Sequence, residues 1–159
     1  MNILRRFLHQ SFLPALTLLA VVATSAPVAY AATTLASNLQ GTYTLSSLKL
    51  VANGQPQNVG HPMETAKITS TGLTPSNLVP DLLRHVGFIL KFTGVKATPT
   101  LYSASFTGKT SAGKAQFVAG SSLQATLTAS GLTVKAALKG TNLGHAFTGT
   151  LTIVLKKSA

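Results

Sequence analysis

Residues 127–138 read LTASGLTVKAAL, two alternating runs that meet at Ser130-Gly131. Leu123, Ala125, Leu127 and Ala129 lead into the turn on one face, and Leu132, Val134, Ala136 and Leu138 leave it on the same face. Gln124, Thr126, Thr128, Thr133, Lys135 and Lys139 take the other. A period of two is what a half-buried strand demands, because successive side chains leave the pleated backbone on opposite sides. A two-residue turn at Ser130-Gly131, with glycine supplying positive φ, sets Ala129 opposite Leu132, Leu127 opposite Val134 and Ala125 opposite Ala136. Every opposed pair on that face is then apolar, so pairing and burial favour one register.

The same pattern recurs along the chain. Phe147, Leu151, Ile153 and Leu155 alternate with Thr148, Thr150, Thr152 and Lys156, which predicts a last strand over 145–156. Tyr102, Ala104 and Phe106 mark a strand near 100–108, and KTSAG (109–113) turns it into Ala115, Phe117 and Ala119. Phe88, Leu90 and Phe92 mark another, ending near Gly94, and a weaker one runs through Ala66 and Ile68. In GTYTLSSLKLV (41–51) the phase shifts at Ser46-Ser47, so that Tyr43 and Leu45 share a face with Leu48 and Leu50. Such a shift predicts a bulge, which bends a strand as a curled sheet requires. One segment departs from this period: TPSNLVPDLLRHVG (74–87), whose Leu78, Leu82, Leu83 and Val86 spacing and Gly87 stop predict a short helix over 78–86. About eight strands joined mostly by tight turns make an all-β, antiparallel meander. Near-sequential hairpins favour closure into an up-and-down barrel over the alternative β-sandwich.

The first residues read as an export signal. Arg5 and Arg6 precede an apolar stretch from Ser11 to Ala23, and Ala29-Tyr30-Ala31 has the small-x-small form that signal peptidase accepts. This predicts cleavage after Ala31 and a single domain over 32–159, soluble in a periplasm or outside the cell. The apolar run is shorter than the roughly 20 residues a helical membrane span needs. With no cysteine, neither a disulfide framework nor a lipid-anchored amino-terminal Cys is available.

Thirteen Lys and Arg stand against two acids, Glu64 and Asp81, for a formal charge of +11. Loss of Arg5 and Arg6 lowers this by two, to +9. The apolar fraction of 45% and the scattered cations fit a folded domain with a Thr-, Ser-, Asn- and Gln-rich surface. Much chemistry is excluded by composition. His61, His85 and His145 are far apart and have no cysteine to join them in a metal site. Two acids on different elements do not make a glycosidase pair, and there is neither a Gly-x-Ser-x-Gly elbow nor a phosphate-cradling glycine loop. The expectation is a non-catalytic protein with no cofactor and no metal.

LQGTYTLSSLKLVANG (39–54) resembles the opening strand of lipocalin-like, calycin-type barrels, whose bacterial members often read Leu-x-Gly-Thr-Trp-x-Leu-x-Ser before an Asn/Asp-Gly turn. Gly41, Thr42, Leu45 and Ser47 fit, Asn53-Gly54 supplies the turn, and Tyr43 stands where the Trp would be. The resemblance implies a barrel of about eight strands whose interior holds one small apolar ligand.

Two functions follow as expectations. The first is an exported β-barrel that binds a small apolar or amphipathic, anionic ligand such as a lipid. Tyr43, Phe88, Phe92, Tyr102, Phe106, Phe117 and Phe147 would line it, each being equally a position for ordinary core packing. Arg84, on a helix face with Asp81 and His85, either belongs to a solvated ion-paired surface or meets an anionic headgroup at the barrel mouth. Lys135 and Lys139, with Lys156, either keep strand edges soluble or form a basic face for anionic lipid or acidic polysaccharide. Nucleic acid is not expected as a partner, because outward aromatics that stack bases are missing. The second expectation is a secreted structural subunit that self-associates through strand edges, and a monomer is favoured over it.

Acid unfolding mostly reflects protonation of carboxylates paired in the native state, and this chain has two carboxylate side chains in all. The melting temperature is therefore expected to stay constant to within about 4 °C between about pH 3 and pH 7, corresponding to less than ~1 kcal/mol. Thermal scans in a pH series check this, and a steep fall on acidification refutes it.

Overall fold

A computed structural model of the chain describes residues 34–58, 65–78, 88–110 and 113–159. The expected export signal, Arg84 and the bulk of the expected 78–86 helix lie outside the described residues, as do His61, Glu64, Asp81 and His85.

Eight strands form one antiparallel sheet: β1 (Gly41–Ala52), β2 (Gln55–Gln57), β3 (Thr65–Ile68), β4 (Phe88–Ala97), β5 (Leu101–Thr110), β6 (Ala115–Thr128), β7 (Gly131–Asn142) and β8 (His145–Lys157). Their order is β2-β1-β8-β7-β6-β5-β4, with β3 on β1 beside β2. The strands from β4 to β8 are a true meander, and β8 returns to pair with β1. The β1–β2 and β7–β8 turns, Asn53-Gly54 and Leu143-Gly144, both have two positive-φ residues. That pattern matches the right-handed twist of the strands they join.

Most inward side chains converge on one core, while Leu50 and Ala52 of β1 form a small second cluster against Leu138 and Leu151. Tyr43 and Ile68 at one end of the sheet join the same cluster as Leu90 and Phe92 at the other, through Leu123, Ala125, Val134, Ile153 and their neighbours. The sheet is therefore curled. The Leu73 amide donates to the Pro99 carbonyl at 3.1 Å, tying the segment after β3 to the β4–β5 turn. The expected closed ring is nevertheless not formed among the described residues, because no ladder joins β4 to β2 or β3. The reason lies in β1, whose free edge is divided between a three-residue and a four-residue strand. Neither presents a full-length partner for the ten residues of β4.

Several local expectations are corrected. The turn of the opening hairpin is Ala129-Ser130, one residue earlier than expected, since Thr128 pairs with Gly131 and Leu127 with Leu132. Opposed pairs thus shift by two, to Leu127–Leu132, Ala125–Val134 and Leu123–Ala136. An even shift leaves each side chain on its face, which is why the buried set remains as expected apart from Ala129, now exposed in the turn. What fixes the register is Gly131. At φ 150° its Cα lies so close to β8 that a Cβ would come within 2.3 Å of the Leu155 carbonyl oxygen. Ala119, expected inward, is exposed, because two extra residues of β6 bulge out between Phe117 and Ser122. The strand expected to stop near Gly94 continues to Ala97 through a one-residue shift between Thr93 and Lys96. A short helix, α1 (Pro75–Leu78), starts ahead of the expected 78, with proline in its first turn, where no hydrogen bond is lost. The Ser46 bulge in β1 is present as expected.

The resulting interior holds Tyr43 fully buried, its hydroxyl donating to the Leu39 carbonyl at 2.7 Å. Burial pushes this phenol above its ordinary pKa of 10.0, so it stays protonated and donating at acidic and neutral pH.

Gly131→Ala is expected to cost more than ~2 kcal/mol, combining disfavoured φ with a backbone collision that neither strand can relieve cheaply. Equilibrium urea unfolding measures it; an unchanged midpoint would show that β8 yields.

Candidate functional site

Five of the aromatic candidates form a continuous chain across the interior. Tyr102 packs edge-to-face on Phe92 at 6.4 Å between centroids, Phe92 on Phe106 at 6.2 Å, Phe106 on Phe117 at 5.7 Å and Phe117 on Phe147 at 6.0 Å. These are the separations of favourable aromatic pairs, so the rings satisfy one another. Tyr43 is buried in the same cluster. Phe88 opens β4, where Phe88 pairs with Thr110.

The outer face carries a different arrangement. Reading partners from strand to strand, one transverse row runs Lys96 (β4), Ser103 (β5), Gln124 (β6), Lys135 (β7), Thr152 (β8) and Lys49 (β1). Beside it runs a row of small residues: Thr93, Ser105, Ser122, Ala137, Thr150 and Val51. On the far side of the small row stand Lys91, which pairs with Thr107 on β5, and Lys139, which pairs with Thr148 on β8. Short side chains between long ones make a trough across the strands. An open groove of about 690 Å³ follows these rows from β4 to β8, lined by Lys96, Ser105, Ser122, Gln124, Lys135 and Thr150 among others, with Lys49, Lys91 and Lys139 outside that lining. Its volume lies within the ~300–1,000 Å³ typical of ligand sites.

The β6 bulge shapes one rim. In a regular ladder the backbone of Lys139 would pair with β6. Instead the Ser121 hydroxyl, fully buried, accepts from the Lys139 amide and donates to its carbonyl, both at 3.0 Å. Gly120, at φ 99°, lies under the Lys139 stem, where a Cβ would stand 3.2 Å from Cδ. The bulge thereby lets the lysine lean over the neighbouring strand.

Among the described residues nothing compensates the charge of the trough. The described residues include ten lysines and no Asp or Glu, so no side-chain carboxylate among them neutralises Lys91, Lys96, Lys135 or Lys139. Several ammonium groups on one face give it a positive potential that attracts anions and weakens as salt rises. Among the described residues no group of three metal-ligating side chains occurs, and no helix is long and apolar enough to cross a membrane.

Of the residues singled out from sequence, the structure thus gathers most of the aromatics in the core and sets Lys135 and Lys139 on opposite sides of the trough. Arg84 lies outside the described residues. Lys91, Lys96, Lys49 and the hydroxyl floor were missed. Their outward alternation was legible, but their alignment depends on bulges at Thr93–Lys96 and in β6 that shift each strand against the next. Comparison with protein-family models, curated proteins and solved structures found no match for this chain.

Ser121→Ala leaves the Lys139 amide and carbonyl without their partner, and an unmade buried hydrogen bond costs about 1–3 kcal/mol. A loss in that range is expected by urea unfolding, together with faster amide exchange at Lys139. Unchanged exchange would mean water replaces the hydroxyl at no cost.

Proposed function

We propose that this is an exported, non-catalytic binding protein that holds an anionic ligand in the trough across the outer face of its sheet. The observation that carries the reading is the transverse row from Lys96 to Lys49 with the small-residue row beside it. Six strands contribute to it, and no carboxylate stands among the described residues to quench it. The edge-to-face packing of the interior aromatics favours this outer face over the interior, since those rings already contact one another. Composition supports a binding role over catalysis: lysine, hydroxyl and amide groups supply attraction and hydrogen bonds but no acid–base pair. The export signal places the protein where acidic polymers, lipid headgroups and free anions are all accessible, and its low acid content keeps the face cationic there.

Binding of the 32–159 chain to sulfate- or carboxylate-bearing beads at low salt tests this. The double substitution Lys96→Gln with Lys135→Gln is expected to weaken retention about tenfold, near 1.4 kcal/mol, with the melting temperature unchanged. Lys67→Gln with Lys114→Gln, two exposed lysines outside the rows, serves as the control of equal charge. Equal losses from both would reduce the effect to net charge and remove the trough from the reading.

A further inference from the structure

We infer that the ligand of the trough is a linear acidic polysaccharide lying across the strands. Its carboxylate or sulfate groups meet two lysine pairs, Lys91 with Lys96 on β4 and Lys135 with Lys139 on β7. This rests on the reading of the trough as an anion site and adds the identity and direction of its occupant.

Geometry excludes a small anion as the natural fit. Strands are spaced ~4.8 Å apart, so β4 and β7 are separated by three intervals, ~14 Å. Along β7, Lys135 and Lys139 are four residues apart, ~13 Å at strand rise. Four cations at the corners of such a rectangle cannot all serve one phosphate, sulfate or carboxylate. A chain with an anion at regular intervals can reach them in turn, and the row continues two strands further to Lys49.

The floor gives the class of polymer. Ser105, Ser122, Gln124 and Thr150 present hydroxyl and amide groups, each able both to donate and to accept. Sugar hydroxyls have the same dual character, whereas phosphate oxygens only accept. Among the described residues the cations of the trough are all lysine, a point charge without the bidentate fork by which arginine grips phosphate. No aromatic residue stands in either row, so an unpaired nucleic-acid base has no ring on which to stack. A flat lipid surface would meet the long rim side chains before the short floor. Because no described carboxylate holds the lysines, no ion pair there need break for a polymer to enter.

Calorimetry of the 32–159 chain with length-graded uronic-acid oligomers tests the inference. Affinity is expected to rise on the order of a hundredfold from the monosaccharide to oligomers long enough to pass from Lys96 to Lys49, then level off. Lys49→Gln with Lys135→Gln removes two cations of the row that such an oligomer spans and is expected to flatten that rise. Equal affinity for inorganic sulfate or the monosaccharide as for the long oligomer would overturn the polymer while leaving an anion site. Tighter binding to single-stranded DNA, or to vesicles of phosphatidylglycerol, than to the long oligomer would overturn the polysaccharide. Insensitivity of every anion to all four lysines would overturn both readings.

Discussion

Backbone pairing in an antiparallel sheet does more than hold neighbouring strands together: it aligns side chains into rows that cross the sheet at right angles. Each ladder places one residue directly beside its partner, at the ~4.8 Å spacing of paired backbones. Five ladders in sequence therefore carry Lys96 to Lys49 through Ser103, Gln124, Lys135 and Thr152, residues otherwise scattered over more than a hundred positions. The same alignment on the opposite face brings Phe92, Phe106, Phe117 and Phe147 into ring contact. Core and trough are two faces of one set of hydrogen bonds, and neither survives a slip of one residue.

That dependence gives the irregularities their importance. Bulges shift a strand against its neighbour without disturbing the strands beyond, and each one here keeps apolar side chains inward. The single extra residue at Ser46 lets Leu45 and Leu48 both face the core. The two extra residues of β6 keep Phe117 and Leu123 inward while expelling Ala119 and Gly120. The broken ladder is then mended by the Ser121 hydroxyl bonding to both backbone groups of Lys139. A curled sheet needs such points of extra twist, and here one of them also sets the position of a rim cation.

Charge is organised as economically as shape. Folded proteins usually distribute both signs over the surface, and pairing between them is worth little when exposed. Here the described surface is hydroxyl-rich with isolated ammonium groups, so little electrostatic stabilisation comes from within the protein and the positive field is available to a ligand. The core, with aromatic pairs and tightly packed aliphatics, supplies the stability that surface pairing does not.

Period-two alternation was sufficient to place most inward-facing residues of β5 to β8, with Ala119 at the β6 bulge the exception, because one face of each strand had to leave water. Tyr43, Tyr102, Leu127, Val134, Ile153 and Leu155 could be placed in the core from that constraint alone. The β1 bulge was legible too, as a phase change in the apolar pattern. The opening hairpin marks where such reading ends: composition favours Ser130-Gly131 for its glycine, the pairing uses Ala129-Ser130, and both keep every strand residue on its face. The choice was made by β8, whose Leu155 carbonyl tolerates no Cβ at position 131. Closure and the trough were likewise decided in three dimensions. Whether a sheet seals depends on the partners its edges find, and β1's edge is split between β2 and β3. Which lysines share a row depends on the summed register of five ladders. Alternation along a strand is a local property of the chain, while alignment across strands is set only when distant segments pair.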